Sequence, residues 1–130
     1  NRNPERLANL IEAINPIAQE RKIPLLGKAP NDPSLEIPQG SLLVNATSHG
    51  LKPDDPLPIP ANALPESLAL YDMIYNPPCT KLMQKIQSLD GQTANGLSML
   101  VYQGVRALEI WTDQTINPAT MDRAARSAIA

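Results

Sequence analysis

The side chains in this sequence able to do chemistry are mostly ones that bind and orient, not ones that move protons. Tyr75 offers a phenol and Gln103 an amide, and each can donate and accept a hydrogen bond. Neither exchanges protons easily at neutral pH, so both suit binding and orienting a polar ligand. Asn45-Ala46-Thr47 combines an amide, a minimal side chain and a hydroxyl, a segment that a ligand can approach closely. Asn95-Gly96 is turn chemistry, with free backbone groups and the start of a helix beside it. Met99 and Gln103 are four residues apart, so on a helix they share one face above that turn. Arg2 and Arg6, with no acid among residues 1–3, could grip an anion. Other candidates carry less. Asp54 and Asp55 form a carboxylate pair in a proline-rich turn with no further ligand cluster, so they read as solvated. His49 is the lone histidine, stands beside Gly50 in a loop and takes no role. Asp72 reads as a capping or turn carboxylate.

These residues need particular elements to position them. Residues 92–94 form a strand that runs into the Asn95-Gly96 turn and directly onto a helix. Leu97, Leu100, Val101, Leu108 and Trp111 then recur at helical spacing, and that helix ends near Trp111. Leu42-Leu43-Val44 is a continuous apolar run, the pattern of a parallel strand buried on both faces, and it delivers Asn45 to its carboxyl end. Residues 68–75 form the next strand, stopped by Asn76-Pro77-Pro78, with Met73 and Tyr75 at its end. Ligands of such sheets bind beyond the carboxyl ends of the strands. Thr80 caps a helix through about Leu89, with Leu82, Met83 and Ile86 inward, closed by Asp90-Gly91. At the front, Pro4 suits a helix start, Leu7, Leu10, Ile11 and Ile14 give an apolar face, and Pro16 breaks or kinks the helix. Residues 17–21 add another turn, and residues 23–26 read as an edge strand. Asn117-Pro118 begins the last helix.

Composition bounds the function. The chain has 130 residues, net charge −2, pI near 5.3, 42% hydrophobic and 18% charged residues, which describes a globular domain. The charge gives no general attraction for nucleic acid or an anionic membrane. No apolar run approaches the ~20 residues of a membrane span, and no signal peptide is visible. Cys79 is the single cysteine, which excludes an internal disulfide and a cysteine-rich metal site and fits a reducing, cytoplasmic location. Seven of the chain's 14 prolines crowd between Pro53 and Pro78, marking shaped loops. A G-x-G-x-x-G fingerprint is absent.

Asn95-Gly96-Leu97-x-Met99-Leu100-Val101-x-Gln103, preceded by Tyr71-Asp72-Met73-x-Tyr75 and by Asn45-Ala46-Thr47, resembles shikimate dehydrogenase. The blocks come in that family's order and spacing and cover most of residues 40–112. The resemblance implies an α/β fold: a Rossmann-like parallel sheet flanked by helices, truncated at its amino-terminal end. It implies a partial dinucleotide-binding domain over residues 1–112, without its first strand and glycine-rich loop. Residues 113–130 would be a carboxy-terminal helix packing on an absent amino-terminal substrate domain. The implied reaction is the reversible, NADP-dependent reduction of 3-dehydroshikimate to shikimate in aromatic amino-acid biosynthesis. The family's Asn-Arg-Thr loop binds the 2′-phosphate of NADP; Asn1, Arg2 and the later Arg6 match, while Asn3 replaces the hydroxyl residue and Glu5 adds a nearby negative charge. Asn45, Ala46 and Thr47 would pass along the cofactor, and Met73, Gly96 and Met99 would frame its nicotinamide. Tyr75 and Gln103 would hold the substrate. The family's lysine and aspartate for proton transfer lie in its substrate domain; Lys52, Lys81 and Lys85 are not in that context, so no catalytic residue is assigned and the 130 residues alone are expected to be inactive. No metal is implied. Two alternatives stay open: a relative acting on quinate or using NAD, and a non-catalytic nucleotide-binding module.

Overall fold

A computed structural model describes residues 3–129. They fall into two compact units that divide between Ile37 and Pro38. The first is built on helix α1, Pro4–Glu20. Asn3 caps it, its Oδ1 accepting the Arg6 N–H at 2.9 Å, with Pro4 following where no amide donor is needed. Pro16 lies inside α1, and the helix continues through it to Glu20, so the expected break does not occur. It closes as a Schellman motif: Lys22 sits at φ 54°, its N–H reaching the Gln19 carbonyl and that of Ile23 the Ala18 carbonyl. That closure takes the Ile23 donor, and Pro24 has none, so residues 23–26 form no strand.

The second unit holds a three-stranded parallel sheet in the order β1 (Leu42–Asn45), β2 (Ala69–Asp72), β3 (Gln92–Asn95). Helix α2, Lys81–Gln87, connects β2 to β3 and packs on both. Thr80 caps it through the Met83 N–H at 3.2 Å, and Leu82, Met83 and Ile86 are its buried face. The chain leaves α2 through Asp90, at φ 55°. Gly91 then passes so close to β2 that a Cβ there would stand 2.4 Å from the Leu68 carbonyl oxygen. Helix α3, Leu97–Thr112, follows β3, and α4, Pro118–Ile129, packs on α3. Gly104 of α3 makes room for Met121 of α4; a Cβ would meet its Cε at 2.8 Å. Asn117 accepts the Ala119 N–H at 3.0 Å and so caps α4.

Two expectations about burial need correction. β1 is an edge strand buried on one face only: Leu42 is 65% and Val44 51% exposed. The inward stripe of α3 is Leu97, Val101 and Val105, whereas Trp111 is 77% exposed. Spacing alone could not separate the two stripes, because apolar residues occupy more than half the turn of that helix.

Candidate functional site at the strand ends

The three strands end in register on Asn45, Asp72 and Asn95. Each of these side chains then accepts the backbone N–H two residues on: Asn45 from Thr47 at 3.1 Å, Asp72 from Ile74 at 3.1 Å, and Asn95 from Leu97 at 3.2 Å. The same Asx turn therefore starts all three loops at one level. It turns each chain out of the sheet just where parallel α/β proteins place their ligands.

Beyond the ends of β1 and β2 lies a cavity of about 290 Å³, lined by Ala46, Thr47, Leu51, Met73, Ile74, Tyr75 and Asn76. Four of the candidates read from the sequence thus line one cavity, Ala46 and Thr47 from the loop after β1 and Met73 and Tyr75 from the loop after β2. Met73 and Tyr75 are 38% and 37% exposed, so neither is consumed by the core. Asn45 is different. It is buried, and its amide is committed inward: Oδ1 accepts from the Thr47 hydroxyl at 2.8 Å, and Nδ2 donates to Asp72 at 3.0 Å and to the His49 carbonyl at 3.3 Å. It shapes the loop that a ligand would meet. The Thr47 hydroxyl also accepts the His49 N–H at 3.1 Å, which fixes its direction.

Gly96 is needed for a reason the sequence did not disclose. Its φ is −74°, so no left-handed conformation is used. Instead its backbone presses on the end of β2: a Cβ would lie 2.1 Å from the Met73 carbonyl oxygen, and its N–H donates to the Ile74 carbonyl at 3.2 Å. Gly96 thereby seats Met73. Met99 and Gln103 do share a face of α3, where with Tyr102, Arg106, Ala107 and Ile110 they line a shallower groove of about 540 Å³. Tyr75 and Gln103 line separate cavities.

Of the anion-binding candidates, Asn1 and Arg2 lie outside the described residues. Arg6 is exposed in the first turn of α1, and the Asn3 amide serves as its cap. Asn3 keeps the capping function that a threonine would have there, since either side chain can accept from the helix. The Asp54-Asp55 pair is structural on one side: Asp55 accepts the Lys52 and Gly50 N–H groups at 2.9 and 3.0 Å, which holds its carboxyl below the ordinary range. His49 Nδ1 is buried without a partner. Among the described residues no group of three or more histidine, cysteine or acidic side chains is placed to hold a metal, and no helix is long and apolar enough to cross a membrane. Sequence reasoning missed Leu51, Ile74 and Asn76 as lining residues; their signal is positional, each falling one to several residues past a strand end.

A parallel three-stranded sheet flanked by helices defines a Rossmann-like α/β fold, and its structural neighbours share that fold. Residues 96–126 match the Shikimate 5′-dehydrogenase C-terminal domain. The chain belongs to the shikimate dehydrogenase family, and what it matches is that family's carboxy-terminal part. A Shikimate dehydrogenase (NADP(+)) from Halorubrum lacusprofundi is 34% identical over 129 residues, 99% of this chain and 44% of that protein. A crystal structure of a shikimate dehydrogenase in complex with NADP+ superposes with TM-score 0.63 and 36% identity, covering 68% of this chain and 32% of that one. A ligand-free 5-ketofructose reductase of Gluconobacter sp. strain CHM43 superposes with TM-score 0.60, also at 36% identity, over 72% of this chain and 34% of that one. The chain spans less than half the length of the curated relatives it matches.

Proposed function

We propose that this chain is the cofactor-binding part of an NADP-dependent shikimate dehydrogenase, acting in the reversible reduction of 3-dehydroshikimate to shikimate. The observation that carries the reading is the gathering of Ala46, Thr47, Met73 and Tyr75 around one cavity at the strand ends of a chain of this family. The residues fit the nicotinamide end of a dinucleotide. Ala46 leaves room, Met73 gives a soft apolar wall, and the Thr47 loop offers backbone groups. When bound, the cofactor supplies the hydride-carrying ring. The chain's own residues bind and orient. Asn45, through the loop it shapes, Ala46 and Thr47 border the cofactor's path. Gly96 seats Met73 against the ring position, and Met99 lies on the helix that follows. Tyr75 and Gln103 hold substrate hydroxyls, Gln103 from its own groove. Asn1, Arg2, Asn3 and Arg6 hold the 2′-phosphate end. Proton transfer is assigned to groups of an amino-terminal substrate domain, since no lysine–aspartate motif in these 130 residues matches the family's pair. On this reading the 130 residues alone turn over no substrate. A cytoplasmic location belongs to the same proposal.

The match to a 5-ketofructose reductase supports a second reading, in which the fold and cofactor are kept but the polyhydroxy substrate differs. One set of measurements on the full-length protein tests both. NADPH should bind more tightly than NADH, and Arg2→Ala should weaken NADPH about 10- to 100-fold while sparing NADH, the worth of one charge-assisted contact. Equal loss for both cofactors would remove the 2′-phosphate assignment. Turnover of 5-ketofructose in preference to 3-dehydroshikimate would favour the second reading.

A further inference from the structure

Asp72 is fully buried, and three hydrogen-bond donors converge on its carboxyl group. Asn45 Nδ2 and the Ile74 N–H reach one carboxyl oxygen at 3.0 and 3.1 Å, and the Thr80 hydroxyl reaches the other at 2.7 Å. The Thr80 hydroxyl works both ways, accepting the Met83 N–H and donating its own proton to Asp72. Each donor belongs to a different piece of the site. Asn45 governs the Thr47 loop, Ile74 stands between Met73 and Tyr75, and Thr80 starts α2. Gly50, at φ 115°, lies over the same cluster, where a Cβ would stand 3.3 Å from Ile74 Cδ1 and from Thr80.

We infer that Asp72 is a positioning residue whose carboxylate locks the loop after β1 to the loop after β2, so that the two walls of the cavity keep one spacing. The dehydrogenase reading enters only in naming the ligand those walls face. An amide in place of the carboxylate would bring a donor against a donor, at Thr80 or at Asn45 and Ile74, whichever way it turned. Both walls would then loosen together.

The test uses the full-length protein with Asp72→Asn, with Thr80→Ser as the conservative variant that keeps its hydroxyl, and with Ile86→Val as a core change in α2 that lowers Tm without touching the cluster. Hydrogen exchange without cofactor is the first readout. Asp72→Asn should speed exchange about tenfold or more in both residues 45–49 and 73–80, with Thr80→Ser near wild type and Ile86→Val lacking that paired pattern. NADPH affinity is the second, expected to fall about tenfold or more in Asp72→Asn alone. Faster exchange in only one segment, or the same pattern in Ile86→Val, would overturn the lock. A wild-type protein that binds neither NADPH nor NADH would instead overturn the dehydrogenase reading, while the exchange result still decides the lock.

Discussion

Tyr75 and Gln103 are the residues on which a substrate assignment turns, and their exposure makes the assignment testable. Tyr75 is 37% exposed and Gln103 is exposed, so neither is chiefly a packing residue. If they hold substrate hydroxyls, Tyr75→Phe and Gln103→Ala in the full-length protein should each lower kcat/KM by the equivalent of about 1–3 kcal/mol and leave NADPH affinity nearly unchanged. Lower melting temperatures with intact kcat/KM would show that both merely brace the fold. Ala46, Thr47, Met73 and Tyr75, which line the cavity, were named from the chain through the motif blocks at the strand ends; residue type alone would not have singled them out, since a polar strand end can equally serve its own loop, as Asn45 does. The reach of Asp72 was not legible in the chain. A turn carboxylate looks the same in sequence whether it serves its own loop or, as here, a second strand end and a helix cap.

At the scale of elements, Gly96 and Asp55 each hold a loop by a different means. Gly96→Ala would force a Cβ against the Met73 carbonyl, a backbone atom that no rotamer change can move aside. The expected cost is about 1–3 kcal/mol or more, read as a fall in Tm, together with weakened cofactor binding because Met73 is displaced. An unchanged Tm would show that the turn shifts freely. Asp55 carries a pH dependence. The Lys52 and Gly50 N–H groups lower its carboxyl below the ordinary 3.8 in the folded chain. The bonds therefore contribute fully above that value, and the contribution is lost as pH falls through the lower folded value. Exchange protection at Gly50 and Lys52 should vanish in that acidic range, and in Asp55→Asn it should already be weak at pH 7. Helix starts were readable from Pro4, Thr80 and Asn117. Pro16 left a break or a kink open, with a further turn after it; the helix runs on to Glu20, since the lost bond is a local cost that the remaining turns of α1 can carry.

The whole molecule leaves an apolar sheet edge in solvent. Leu42 and Val44 project from one face of β1, which among the described residues pairs only with β2. Such an edge invites pairing with another copy. The 130-residue chain by itself should associate as its concentration rises, and Leu42→Lys should shift it toward monomer by sedimentation; a species that stays monomeric at every concentration would refute this. The fold class was legible from continuous apolar runs alternating with helical spacing. The division near residue 37 was not, because a proline- and turn-rich stretch reads alike whether it links two units or crosses the surface of one.

The level row of Asn45, Asp72 and Asn95 has a consequence for engineering. Since every loop departs from a common baseline by the same turn, the sheet behaves as a socket board and the loops as plugs. Chimaeras with related proteins should be joined immediately after positions 45, 72 and 95, so that each strand keeps the Asx side chain that starts its loop. A splice that drops one residue of a strand would swing the Asx side chain to the opposite face of the sheet, leaving the grafted segment without its anchor.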